Sequence, residues 1–348
     1  MSEYEVMTYV VKLGSVLVRA GVIGENAPTI QFPSIVGKSK TENASGITDF
    51  VGEDAYNRRE NLKIESPFLK GISKNWDNCK AILNHLFIEK LAVIDNQKEF
   101  NVIVTVRPGL SMAEKNQLSS YLLEIGAKGV LFVDIEKLAN KVTKQSSGVY
   151  MSVGYGGSCV CTFAHDTLIP LSDKQMSIGT RDVQNECQNL LMKNGHRFNS
   201  WSEYDEIRRM IEDIGYISMN SSNETPEKTT YKIGRKDLDI SDENFKCFEV
   251  LYDMSILGKD SVGIQNLVHN SIDQSSDFDK KEVFKNIFVT GTITKVRGFV
   301  QRLETVLHTM NPLIPEIKVE TLEIGFIMME GAKKIIENGG IVWITKPN

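Results

Sequence analysis

A chain of 348 residues exceeds what one hydrophobic core usually serves, so two domains are expected. Apolar content of 41% and charged content of 24% are those of a soluble globular protein, and the formal net charge of −5 excludes a general attraction to nucleic acid or anionic membrane. Apolar runs such as Val102–Val106 and Val130–Val133 are strand-length and exclude a membrane span. The N-terminus, Met1-Ser-Glu-Tyr-Glu5, lacks the basic and apolar regions of a signal peptide. The five cysteines (Cys79, Cys159, Cys161, Cys187 and Cys247) are odd in number and have no metal-site spacing, so reduced thiols in an intracellular chain are expected.

In chain order, Val10–Val18 reads as a strand hairpin and Ile30–Val36 as a further strand. Lys38–Phe50 is polar and aperiodic, a loop with its tip at Thr41–Gly46. Asn75–Leu91 has helical apolar spacing with Asp77 as its cap, and Val102–Val106 is a buried strand stopping at Pro108. Ala113–Ile125 reads as an amphipathic helix, Val130–Ile135 as a strand and Glu136–Val142 as a second helix. This alternation predicts an α/β fold with a mixed sheet covered on both faces. Farther on, Asp182–Asn194, Glu203–Ile214, Val296–Met310 and Gly331–Asn338 read as helices, with strands at Lys285–Val289 and Ile317–Thr321.

The stretch Gly148–Phe163 is the most informative. Val149, Met151 and Val153 alternate with Tyr150 and Ser152, then Gly154, Gly156 and Gly157 break the run before Cys159–Phe163 resumes it. Glycines let bare backbone amides approach a ligand closely, and phosphate is the usual partner. Tyr9–Gly21 repeats the plan around Gly14 and Ser15. The pair reads either as a duplicated nucleotide clamp or as two ordinary β-hairpins.

Phe32-Pro-Ser-Ile-Val-Gly-Lys38, Val51-Gly-Glu-Asp-Ala55, Gly71-Ile-Ser-Lys-Asn-Trp-Asp77 and Thr180-Arg-Asp182 resemble the corresponding segments of actin. So do Glu212–Tyr216, Leu257-Gly-Lys-Asp-Ser-Val-Gly263, Val289-Thr-Gly-Thr292 and Trp343-Ile-Thr-Lys346. Order and spacing follow that family from about Val10 to the C-terminus, so the chain resembles a divergent actin or actin-related protein. The resemblance implies two related α/β domains, of four subdomains, around a central nucleotide cleft. The first spans 1–145 plus 323–348 with a small subdomain at 33–67. The second spans 146–322 with a small subdomain at about 180–260.

It also implies where chemistry belongs. The aspartates that organise the family's hydrated metal align with Lys12, Ser152 and Tyr155, and a small polar position with Leu13, so no metal ligand is expected. The catalytic glutamine aligns with Glu136 and its assisting histidine with Cys159. Glu136 reads either as a base or as a helix-start carboxylate favoured by the dipole. Lys12 either meets phosphate or fills the site in an ion pair with Glu136. Thr180 replaces a glycine, Thr292 adds a branched side chain beside Gly291, and Lys295 and Val296 replace residues flanking the base. Gly14, Ser15, Arg19, Gly154, Gly156, Glu212 and Gly291 keep the remnants of a nucleotide cleft.

The expectation is therefore a catalytically inactive actin-fold protein, a structural subunit of a cytoskeletal, ciliary or chromatin-associated complex. Its cofactor is none, or ATP/ADP without a well-anchored magnesium. Its partners are protein subunits, with actin and other actin-related proteins as candidates, and neither membrane nor nucleic acid is contacted directly. Residence is cytoplasmic and cytoskeletal, or ciliary or nuclear. The alternative is a divergent actin that binds ATP and joins filaments; a phosphotransferase is a third reading. The polar loop tip and an end at Asn348, short of the family's tail, both predict poor self-assembly. Lys333, where the family has a leucine beside Ile336 and Val342, is expected to deter apolar partner helices unless it snorkels to water.

Overall fold

The computed structural model describes residues 6–39, 49–68, 75–93, 99–106, 109–260 and 262–346. The loop tip Thr41–Gly46, the segment 71–74 and Pro108 lie outside the described residues. The chain divides into two compact units, Met1–Lys144 with Ile324–Asn348, and Gln145–Glu323.

In the first unit, β1 (Met7–Leu13) and β2 (Leu17–Val22) form an antiparallel hairpin with Lys12 opposite Arg19. β3 (Ile30–Pro33) returns along β2, whereas β4 (Val36–Ser39) belongs to a different sheet. The single strand expected over Ile30–Val36 is thus two strands. Pro33 has no N–H to donate, and the next amide, Ser34, bonds Val16 O at 2.8 Å, which bends the chain between the sheets. β5 (Phe50–Val51), α1 (Glu53–Asn57) and β6 (Leu62–Glu65) complete a small lobe with strand order β5-β4-β6. α2 (Trp76–Asn84) runs on as a wider π-type turn at His85–Lys90. Its N-cap is Asn75; Asp77, expected as the cap, lies in the first turn, where a carboxylate favours the dipole without closing the helix.

β7 (Phe100–Val106), α3 (Met112–Glu124), β8 (Ala127–Asp134) and α4 (Ile135–Val142) follow. Ser111 and Glu114 cap α3 reciprocally. The main sheet runs β3-β2-β1-β7-β8, with β1, β7 and β8 parallel. Alternation along β1 sends Tyr9 and Val11 into a core with Ile82, Leu83 and Leu86, and with Leu118 and Leu122 of α3.

The second unit opens with β9 (Gly148–Val153), β10 (Ser158–Ala164), β11 (Thr167–Leu168) and β12 (Lys174–Met176). α5 (Thr180–Lys193), α6 (Trp201–Ile214), β13 (Thr229–Ile233), β14 (Lys236–Ile240) and α7 (Glu243–Lys246) come next. α8 (Ile264–Ile272), α9 (Asp277–Lys285), β15 (Ile287–Thr290), α10 (Phe299–Met310) and β16 (Val319–Thr321) end it. The sheet runs β11-β10-β9-β15-β16, with β12 also on β10. β9 is antiparallel to β10 and parallel to β15, as β1 is to β2 and β7, so each unit starts from the same hairpin scheme. Lys285, expected to open a strand, instead ends α9, and Asn286 ties the crossing to Ser147 O through its side-chain amide at 3.1 Å.

The chain then returns to the first unit as α11 (Ile324–Asn338), which begins well before the expected start at Gly331. Lys333 is half exposed, with Glu337 one turn along at 4.0 Å, so its charge is solvated and faces a carboxylate of its own helix. Val342 is exposed, and Ile344 bridges to Val130 of β8. At Gly331, α11 meets α4: a Cβ there would stand 2.8 Å from Leu138 Cβ and 2.9 Å from Leu138 O. Neither atom can rotate away. Gly331→Ala would gain about 1 kcal/mol of helix propensity, but overpacking costs about 1–3 kcal/mol, and fixed atoms place it at the upper end. The expected outcome is a lower denaturation midpoint for Gly331→Ala; an unchanged or raised midpoint would mean the two helices slide apart freely.

Candidate functional site

The first turn, Gly14-Ser15-Val16, is built to be tight. A Cβ at Gly14 would lie 2.5 Å from Leu17 O, so glycine is required by contact rather than by a positive φ. Ser15 Oγ donates to Phe68 O at 2.8 Å, and Ser66 Oγ donates to Ser15 O at 2.6 Å. The Ser15 hydroxyl, expected to keep a phosphate-facing turn, gives its proton to the protein's own backbone. Arg19 Nε donates across the strands to Gln31 Oε1 at 2.8 Å, so part of this guanidinium, expected to face phosphate, is held by β3. Glu136 is buried in the first turn of α4, consistent with the helix-start position read from the sequence.

The second turn is held by a helix. Gly154 N–H bonds Gly157 O at 2.9 Å, while the amides of Thr180 and Arg181 donate to Gly154 O at 3.0 Å and Tyr155 O at 3.1 Å. Helix N-termini carry donors that lack intrahelical partners, and α5 presents two of them to the carbonyls of this turn. Thr180, read as the replacement of a glycine, is the first residue of α5. The close approach falls on Gly179, where a Cβ would meet Gly154 O at 2.2 Å. Gly179 was missed in the sequence reading; a glycine immediately before a predicted helix and after a turn is the signal that marks it.

Tyr155 points away from its own turn. Its Oη donates to Gln184 Oε1 at 2.8 Å, and Gln184 Nε2 donates to Tyr204 O at 2.6 Å, which connects the turn to α5 and α6. Burial pushes the Tyr155 phenol far up, Tyr204 adds to this, and Arg208 and Arg181 offset only part of it. On α6, Arg208 is shared by Asp205 at 2.8 Å and Glu212 at 2.9 Å. Burial alone would lower the Arg208 pKa, but the two carboxylates outweigh burial and hold it above its ordinary value. Glu212, expected as a ribose contact, therefore belongs to an intrahelical bidentate pair at i,i+4 spacing.

Gly291 joins the same region. It has φ +126°, and a Cβ would stand 2.1 Å from Val153 O. Thr294 Oγ1 donates to Gly291 O at 2.8 Å, and Thr290 Oγ1 to Leu322 O at 2.8 Å. Thr292, expected to crowd the backbone, is exposed instead, and Lys295 pairs with Glu323 at 2.7 Å. The second unit thus brings together Gly154, Gly156, Gly179 and Gly291, with Glu212 tied in through α6, while Gly14 and Ser15 form the matching turn of the first unit and Arg19 lies on β2 beyond it.

These residues do not fit a hard divalent cation, which wants oxygen ligands with carboxylates among them. The positions that would supply them carry Lys12, Leu13, Ser152 and Tyr155, and the Tyr155 hydroxyl is committed to Gln184. Among the described residues no group of three or more His, Cys, Asp or Glu side chains is placed to hold a metal. Removing the Tyr155 hydroxyl would leave the buried Gln184 oxygen without its donor, at a cost of about 1–3 kcal/mol. Tyr155→Phe is expected to unfold at lower urea; equal stability would mean that Gln184 finds another partner.

The family model described as Actin matches residues 3–325. An actin-like protein of Neurospora crassa is 27% identical over 324 residues, covering 88% of this chain and 84% of that protein. A match over nearly the whole chain, on a two-unit α/β architecture whose units both open with a glycine-turned hairpin, places this chain in the actin family.

Proposed function

We propose that this chain is an actin-related protein that serves as a structural subunit of a larger cytoskeletal, ciliary or chromatin-associated assembly and does not turn nucleotide over. One observation carries the reading: neither hairpin turn offers a carboxylate, with Lys12 and Leu13 in one and Ser152 and Tyr155 in the other. Phosphoryl transfer relies on metal and fixed charge to neutralise the transition state, and removal of all metal-anchoring acids takes away that stabilisation. The turns themselves are retained, with their carbonyls and hydroxyls tied to neighbouring chain, which supports a scaffold kept for its shape. Partners are protein subunits, among them actin or related chains. No helix among the described residues is long and apolar enough to cross a membrane.

A second reading, a divergent actin that binds ATP and joins filaments, draws on the preserved backbone geometry at Gly14 and Gly291. Nucleotide released on denaturing the purified protein, detected by chromatography, separates the two. The first reading expects phosphate release at background with ATP and magnesium, and all protein in the supernatant after high-speed sedimentation. Steady phosphate release that vanishes in Glu136→Gln would overturn it, and so would a filamentous pellet.

A further inference from the structure

Between α6 and β13 the chain passes through Ser221-Ser-Asn-Glu-Thr-Pro-Glu-Lys228, which has no regular structure beyond the turn at its start. The segment carries a hydroxyl directly before a proline, Thr225-Pro226, with the cation Lys228 three positions after the threonine. That is the substrate pattern of proline-directed protein kinases. Proline has no N–H to place and holds the residue before it in extended backbone, the form in which a kinase cleft takes its substrate. Of the nine prolines, only one other follows a hydroxyl residue, Pro67 after Ser66. There the third position is Leu69, and Ser66 Oγ is held between Ser15 O at 2.6 Å and Ser34 O at 3.1 Å.

Thr225 differs on each count. It is exposed, as are Ser222, Asn223, Glu227 and Lys228. Among the described residues its hydroxyl has no partner, and no backbone amide or carbonyl from Glu224 to Glu227 makes a hydrogen bond. The segment is fastened only at its root, where Glu224 accepts from Ser218 Oγ at 2.6 Å and Arg302 donates to Ser218 O at 2.8 Å. A kinase can therefore draw the segment out without breaking a backbone bond, an opening at the low end of local stability. We propose that Thr225 is a phosphorylation site for a proline-directed protein kinase. Thr225 Oγ1 attacks the γ-phosphorus of the ATP that the kinase holds, and an Oγ1–P bond forms. The bond from that phosphorus to the β–γ bridging oxygen breaks, ADP leaves with the electron pair, and the hydroxyl proton passes to the kinase's base. The product sets about −1.5 to −2 of charge between Glu224 and Glu227, with Lys228 as the segment's only cation.

The test incubates the folded full chain with ATP, magnesium and a purified proline-directed kinase, and locates phosphate by fragment mass spectrometry. One phosphoryl group is expected, on Thr225, with Ser66 left unmodified. Thr225→Val should abolish the labelling. Pro226→Ala should lower the kinase's kcat/KM by about tenfold or more, the range for losing one fitted apolar contact, and Lys228→Gln should lower it by less. Circular dichroism checks that each variant is folded, and the assignment on the wild type needs no variant. A parallel incubation without kinase should leave Thr225 unlabelled, which keeps this outcome separate from any turnover by the chain itself. Unmodified Thr225 in the wild type, equal labelling of Ser66, or labelling without kinase would each overturn the proposal. So would a Pro226→Ala variant that is labelled as fast as the wild type.

Discussion

The contact on which the second unit's site depends is the pair of bonds from the first amides of α5 to the carbonyls of Gly154 and Tyr155. A helix end and a hairpin turn each carry polar backbone groups that regular structure leaves unsatisfied. Here each supplies what the other lacks. The arrangement brings backbone so close to backbone that a side chain at position 179 is excluded. It also fixes the direction of everything downstream. With its carbonyl held by the Arg181 amide, Tyr155 extends along α5 to Gln184, and from there the chain of bonds reaches α6.

The first unit meets the same requirement with side chains. Its turn is fastened by the Ser15 and Ser66 hydroxyls and by the Ser34 amide, not by a helix end. Behind each turn the hairpin's first strand pairs in parallel with a buried strand, β7 or β15. Parallel strands buried on both faces want continuous apolar runs, which is why Val102, Ile103 and Val104, and Ile287, Phe288 and Val289, lie wholly in the interior. The two hairpins are therefore held from behind by apolar burial and at their tips by a few directed polar bonds.

Much of this frame was legible in the sequence, because long periodic or uniformly apolar segments leave little choice. β7, α3, β9, β10 and α6 fall within a residue or two of where spacing puts them. What was not legible depends on contacts between distant residues. The break between β3 and β4 arises because Ser34 bonds Val16 and the chain changes sheets, which no period reveals. α9, with its run of Asp and Lys, has too weak an apolar stripe to stand out, yet Val283 and Phe284 anchor it. Among site residues, the glycines were readable as turns, but the Tyr155–Gln184–Tyr204 link joins positions 29 and 20 apart. Glu212 was read from a resemblance, although Arg208 four residues earlier is a local signal for a helix-surface pair.

Frame and chemistry are separable in this fold because different atoms carry them. The substituted positions sit on strands whose pairing uses only backbone: Lys12 opposite Arg19 and Thr105, Ser152 opposite Cys159 and Thr290. Replacing a side chain there leaves the ladder intact. Tyr155 carries the argument one step further. A phenol needs one hydrogen-bond partner, and Gln184 supplies it from within the same unit.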